Sequence, residues 1–258
     1  MNHVVLAAVL SLWGALHSVT ALACEGGFEH YLRWNTDHTE RDIRPAYPVS
    51  SEQAARLPAY RICRNGAGQV VEASFFLYAK PSDRSEFGTH QVTITRAATF
   101  IERVYRDQQG EIALNSRQVA VERYSHFENG LPSKKEHFGV DATTLTNDST
   151  GTSTLVFQRD EFGRRIIETR YDTAGELVPE HNGFEQAHFA FDANDYARYR
   201  RGYDRHGQPM TGPAGYHTAY FWFNEQGTFT AEEFRDLQGQ PALFPPGDYF
   251  RVEFHEID

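Results

Sequence analysis

The chain has 258 residues, 40% of them hydrophobic and 23% charged, with a formal net charge of −10. That acidic balance leaves no basic surface to displace counterions from phosphates, which argues against nucleic acid and against anionic lipid as partners. Aromatic residues reach 14% while glycine and proline stay near ordinary levels, a globular rather than a disordered composition.

Met1 to Ala23 contains no Lys, Arg, Asp or Glu, and Val4 to Leu16 is almost wholly apolar. The run ends in Ala21-Leu22-Ala23, the small-x-small pattern of a signal-peptidase site. Residues 1–23 therefore read as a secretory signal peptide, too short for a comfortable transmembrane helix. Export to the periplasm or the cell exterior is the expectation.

Cleavage there would leave Cys24 first in the mature chain, a position that also suits acylation and a lipoprotein anchor. The residue three before it is Ala21, where a lipobox usually has Leu. The other reading pairs Cys24 with Cys63, the only second cysteine, as expected of an exported chain in an oxidising compartment. Closing a loop of about 40 residues, that bridge would contribute roughly 3–4 kcal/mol.

From Glu25 to Tyr60 no repeat is visible. Phe28 to Trp34 is a short helix or a strand, and Asn35 to Pro48, polar and proline-bearing, reads as loop. Ser50 stands before a run of helix formers, Glu52 to Arg56, and predicts a capped turn or two of helix. Residues 24–59 are expected to cap the first edge of a sheet, because an open edge invites unwanted pairing.

Degenerate hairpins fill 60–150. Tyr60 to Phe75 is strand, turn, strand, and Gln91 to Thr95 resumes the alternation. Phe100 to Gly110 echoes Phe229 to Gly239, and Tyr124 to Phe138 holds another hairpin around Asn129-Gly130. Asp141 to Thr152, rich in Thr, Ser, Asn and Asp, reads as a flexible loop.

The clear repeats occupy 151–258. Gly151, Gly183 and Gly215 open three windows at a step of 32 residues, since 183 − 151 = 215 − 183 = 32, and the next step reaches Gly247. Asp172, Asp204 and Asp236 keep that step, as do Gly175, Gly207 and Gly239. A fixed period of this size marks a repeat architecture whose units stack to bury a common core. Within each window apolar residues alternate, as at Ala187, Phe189 and Phe191, which is the period of a strand with one buried face. Asp/Asn-x-x-Gly tetrads at Asn65, Asp107, Asp160, Asp172, Asp204, Asn224 and Asp236 supply turns. The Asx side chain accepts a backbone N–H two residues on, and the glycine takes positive φ without steric cost. The fold class expected is mainly β: serial antiparallel hairpins forming one extended or curved sheet, in a single domain from 24 to 258.

Tyr171-Asp172, Tyr203-Asp204, Gly207-Gln208-Pro209, Gly239-Gln240-Pro241 and Gly215-Tyr216 together resemble the Tyr-Asp hairpin repeats of bacterial surface and secreted proteins, similar in texture to the YD repeats of Rhs-type proteins. The third unit departs from the pattern with Phe234-Arg235-Asp236 where Tyr-Asp is expected. The resemblance covers roughly the last hundred residues. It implies an extended β-architecture with a binding or scaffolding role, and it transfers no catalytic residue.

Motifs for chemistry are missing. There is no Gly-x-Ser-x-Gly elbow, P-loop or His-Glu-x-x-His, and Glu232-Glu233 fall on opposite faces of a strand. His181, Glu185 and His188 make an H-x3-E-x2-H cluster, but on a strand Glu185 and His188 diverge, so no metal site and no cofactor is expected. The aromatic set is more suggestive. Tyr216, Tyr220 and Trp222 are read on one face of a strand, with Phe184 and His188 at equivalent positions one repeat earlier. Such a strand is either buried on both faces or buried on one and binding a sugar ring or a protein hot spot with the other. Three functional readings follow: a non-catalytic binding protein of the cell envelope with a protein or glycan partner, a periplasmic immunity or inhibitor protein against a toxic effector, and a hydrolase whose site assembles across strands.

Overall fold

A computed structural model of the chain describes residues 24, 27–36, 43–224, 228–243 and 249–254. The expected signal peptide, Gly247 and the last three residues of the Asn224 tetrad lie outside them. The strands of the first half are β1 (Phe28–Thr36), β2 (Ile43–Val49), β3 (Pro58–Arg64), β4 (Val70–Leu77), β5 (Lys80–Pro81), β6 (Gln91–Arg96), β7 (Phe100–Arg106), β8 (Val121–Glu128) and β9 (Leu131–Phe138). The second half adds β10 (Thr154–Arg159), β11 (Arg165–Tyr171), β12 (Gln186–Phe191), β13 (Ala197–Tyr203), β14 (Thr218–Phe223), β15 (Phe229–Arg235) and β16 (Arg251–Glu253). All 16 belong to one open antiparallel sheet. Its order is β2-β1-β3-β4-β6 and then β7 to β16 in chain sequence, with β5 paired to β4.

The N-terminal segment departs from the expected cap. Residues 43–49 form a strand, not a loop, and β1 lies hydrogen-bonded between β2 and β3. The segment thus extends the sheet by two strands instead of covering its edge. Pro45 and Pro48 of β2 have no N–H to offer, which suits a strand that ends a sheet. The one described helix, α1 (Ser51–Ala54), has the expected start: the Ser50 hydroxyl accepts from the Gln53 amide while the Gln53 side chain accepts from Ser50 N–H.

The Asx tetrads do two jobs. Those at Asn65 and Asp160 join paired strands of the sheet, β3 to β4 and β10 to β11. Those at Asp107, Asp172, Asp204 and Asp236 instead follow the second strand of a hairpin and open a long loop, returning through single bridges such as Tyr171 to Leu177 and Tyr203 to Pro209. Both kinds share one geometry. In the Asp204 turn Oδ1 accepts from the amides of His206 and Gln208, each at 2.8 Å, and Gly207 N–H reaches the Asp204 carbonyl at 3.0 Å.

Each long loop then folds back over the same face of the sheet. Ala113, Val178, Met210 and Ala242 donate their amides to Tyr105, Arg170, Gly202 and Phe234 of the strand beneath. A second turn closes loops 107–120, 139–153, 172–185 and 204–217 and plants one buried residue under each: Val119, Thr152, Phe184 and Tyr216 in succession. The loop expected to be flexible, Asp141 to Thr152, belongs to this layer, with Asp148 and Thr152 buried and the Asp148 carboxylate bonded to Thr150, Thr152 and Arg117. The core is therefore strand on one side and loop on the other, not sheet on sheet. Its largest cluster lies over β3 to β8 and includes Trp34, Tyr60, Ile62, Phe75, Val92, Ile94, Ile101 and Tyr124. Cys24 is bonded to Cys63, which fixes the chain ahead of β1 to β3 and leaves no free thiol for acylation. Among the described residues no helix is long and apolar enough to cross a membrane.

Candidate functional site

Because every long loop covers one face, the opposite face of the sheet is open. Near the N-terminus α1 rests on it, beside His30, Arg61 and Phe76. Over β12 to β16 no described segment crosses it, and cross-strand register sets its side chains in rows. One row runs Ala190, Tyr199, Tyr220, Glu233, Arg251; the next runs His188, Arg201, Thr218, Arg235. Trp222 lies two residues along β14 from Tyr220 on the same face.

These side chains hold one another in place. Tyr199 and Tyr220 meet edge-on at 6.1 Å, and Tyr220 and Trp222 lie 6.2 Å apart. The Arg201 guanidinium covers the Tyr199 ring at 4.2 Å, and that of Arg251 covers Trp222 at 4.8 Å. His188 stacks on Tyr203 at 4.0 Å, and its burial there pushes the imidazole below its ordinary value, so it is neutral at pH 7. Glu233 is buried between Arg235 and Arg251, which neutralise it. The result is a half-exposed surface of Tyr, Trp and Arg, pre-ordered by cation–π and ion-pair contacts.

The sequence-predicted site residues divide between the two faces. His188, Tyr220 and Trp222 stand on the open face. Phe184 and Tyr216 do not join them: each is 1% exposed, and they meet at 5.5 Å beneath the loops on the covered face. Strand alternation fails for them because both precede their strands and belong to the loop layer. Arg201, Arg251 and Tyr199 complete the surface, and only cross-strand register could have revealed them. Of the His181, Glu185 and His188 cluster, Glu185 pairs with Arg205 at 2.6 Å while His188 turns to Tyr203. Among the described residues no group of three or more His, Cys, Asp or Glu side chains gathers as a metal site would.

Charge is also buried on the covered face, at the junction of the two halves. Glu122, 4% exposed, accepts from the hydroxyls of Tyr105 and Tyr124, both at 3.1 Å, with Arg103 at 3.8 Å and Lys135 at 4.0 Å. Burial pushes its carboxyl up, but Lys135 and Arg103, joined by His137 and Arg117, outweigh this and hold it at about 2. His137 bonds the Thr152 carbonyl through Nδ1 at 2.9 Å, and burial with the nearby Lys135 charge pushes its imidazole down. The group ties β7, β8 and β9 to the loop above them.

No protein-family model matches the chain, and no curated protein sequence matches it.

Proposed function

We propose that this protein is a non-catalytic, exported binding module that captures a protein partner on the open sheet face over β12 to β16. The observation that carries this reading is the one-sided covering of the sheet, which leaves Tyr199, Tyr220, Trp222, Arg201 and Arg251 half-exposed and mutually ordered. Tyr, Trp and Arg are the residue types that dominate binding energy at protein interfaces, and pre-ordering lowers the entropy lost on docking. The apolar segment 1–23 and the Cys24–Cys63 disulfide support export from a reducing cytoplasm. The likeness to secreted Tyr-Asp hairpin repeats supports a recognition role.

The test uses the mature chain from Cys24 as bait in cell-envelope extract, followed by reconstitution with the purified partner. A single stoichiometric partner whose affinity collapses in the Tyr220→Ala, Trp222→Ala double variant, with the thermal midpoint held within a few degrees, is the expected result. A partner retained by that variant, or none recovered, sinks the proposal.

A further inference from the structure

On the covered face a second feature stands apart from the aromatic surface. Between the loops 172–185 and 204–217 an open cleft of about 370 Å³ reaches down to β11, β13 and β15. Arg170, Arg200 and Glu232 rise into it from the strands, and Glu180, Asn182 and Tyr216 face it from the loops. Its size falls in the ordinary range for small-molecule sites.

The polar groups of this cleft are fixed before any ligand arrives. Arg200 donates to the Tyr216 hydroxyl at 2.9 Å and lies 3.8 Å from Glu180. The buried Asn182 amide, turned to satisfy both neighbours, accepts from Arg200 at 2.7 Å and donates to Tyr216 at 3.0 Å. Glu232 differs. It lies half-buried on β15, and its carboxylate has no hydrogen bond or ion pair among the described residues. Burial pushes that carboxyl up, with Arg200 only partly opposing the effect.

The charges sum to nothing. Among the residues that line it, Arg170 and Arg200 stand against Glu180 and Glu232, two guanidinium groups against two carboxylates. A site balanced in this way has no net attraction for an anion or a cation. It does set strong donors beside strong acceptors, and a hydroxyl is the ligand group that donates and accepts at once. We propose that this cleft is a binding site for a neutral saccharide, with Glu232 accepting from one sugar hydroxyl and Arg200 donating to its neighbour. It is independent of the protein-docking face, which lies on the other side of the sheet.

The experiment uses the mature disulfide-bonded chain and saturation-transfer NMR against cellotriose, maltotriose and chitotriose, with galacturonate and glucosamine as charged comparisons. At least one neutral trisaccharide is expected to bind at millimolar concentration or below, and Glu232→Ala is expected to weaken it about tenfold or more. His181→Trp, a change at an exposed rim position, is expected to block entry while leaving the thermal midpoint unchanged. The Tyr220→Ala, Trp222→Ala variant should bind sugar normally. Absence of binding by all three trisaccharides overturns the proposal. So does stronger binding of a charged sugar, or binding that survives both cleft variants.

Discussion

Over β3 to β8 the strands themselves fill the covered face, with Tyr60, Ile62, Phe75, Val92, Ile94, Ile101 and Tyr124 packed in one cluster. Over β12 to β15 the same face carries Arg200, Gly202, Ala219, Glu232 and one large buried ring, Phe234, and the other large buried rings, Phe184 and Tyr216, descend from the loops. The degenerate half of the sequence thus holds the thicker core, and the regular half holds the thinner one. Regular repetition here marks a spacing requirement, namely that each loop fold back onto the strand it leaves. It does not mark where burial is greatest. What the second half loses in strand-borne packing it gains in an open cleft on one face and an ordered aromatic surface on the other. In a molecule whose units touch chiefly their neighbours, the two halves need not unfold together.

The junction between them gives the sharpest way to break this contrast. Replacing Glu122 by Ala strands Lys135 and Arg103 as buried, uncompensated cations, and is expected to cost about 3–5 kcal/mol in chemical denaturation. Acid should act through the same residues. The folded values of Glu122 and Asp148 lie at about 2, below their unfolded values of 4.5 and 3.8, so their contribution is complete above pH 4.5 and is lost as pH falls toward 2. His137 is also held down from 6.5, so the unfolded chain takes its proton first and stability begins to fall below pH 6.5. A stability curve measured from pH 8 to pH 3 should therefore decline in two stages, and Glu122→Gln should flatten the lower one. A curve flat to pH 3 would show that these groups do not set the acid stability of the fold.

A core truncation asks whether the halves are separable. Phe184→Ala is expected to cost about 3–5 kcal/mol, and the loss should fall on β12 to β15 alone. Gly202→Ala should have a comparable local effect, because a Cβ at that position would collide with the Phe184 ring. Hydrogen exchange is the measurement: fast exchange across β12 to β15 with protection retained across β3 to β8 supports separate units, and a uniform loss of protection contradicts them. At the other end, Cys63→Ala removes a cross-link of 39 residues and should cost roughly 3–4 kcal/mol, destabilising β1 to β4 first.

Much of this was legible in the residues. The step of 32, the Asx tetrads and the capped turn at Ser50 encode local geometry, which is what spacing records, and the Cys24–Cys63 pair follows from there being only two cysteines. Tertiary placement was not. Nothing in the Asp172 and Asp160 tetrads distinguishes a loop opener from a hairpin turn, since both make the same hydrogen bonds. Phe184 and Tyr216 look like strand aromatics until the fold shows them ahead of their strands. Residues 43–49 carry two prolines and read as loop, because single-sequence patterns do not reveal that an edge strand tolerates missing donors. The cleft is invisible for a similar reason: Arg200, Glu180 and Glu232 come together only across loops and register.

The smallest expected effect tests whether the repeats are equivalent in their turns. Gly207 sits at φ 74° with no atom within 4 Å of where a Cβ would stand, so Gly207→Ala meets backbone strain alone, roughly 1–2 kcal/mol. The hairpin turn of the same unit, Asp192 to Asp195, has the same side-chain bonds, from Asn194 at 2.9 Å and Tyr196 at 3.1 Å, but ends in Asp195 at φ 65°. Asp tolerates that region better than Ala because its short polar side chain can bond locally. Gly207→Asp should therefore cost less than Gly207→Ala, and Asp195→Gly should stabilise the chain by a few tenths to about 1 kcal/mol. The ion pair of Asp195 with Arg164 is exposed and offsets little of that gain. If Asp195→Gly instead destabilises the chain, the Arg164 contact fixes that turn and the four-residue turns are not interchangeable between units. If it stabilises, Asp195 marks a drifted copy of the hairpin turn kept at Gly163, one 32-residue step earlier, and the regular half is held by the same local rule throughout.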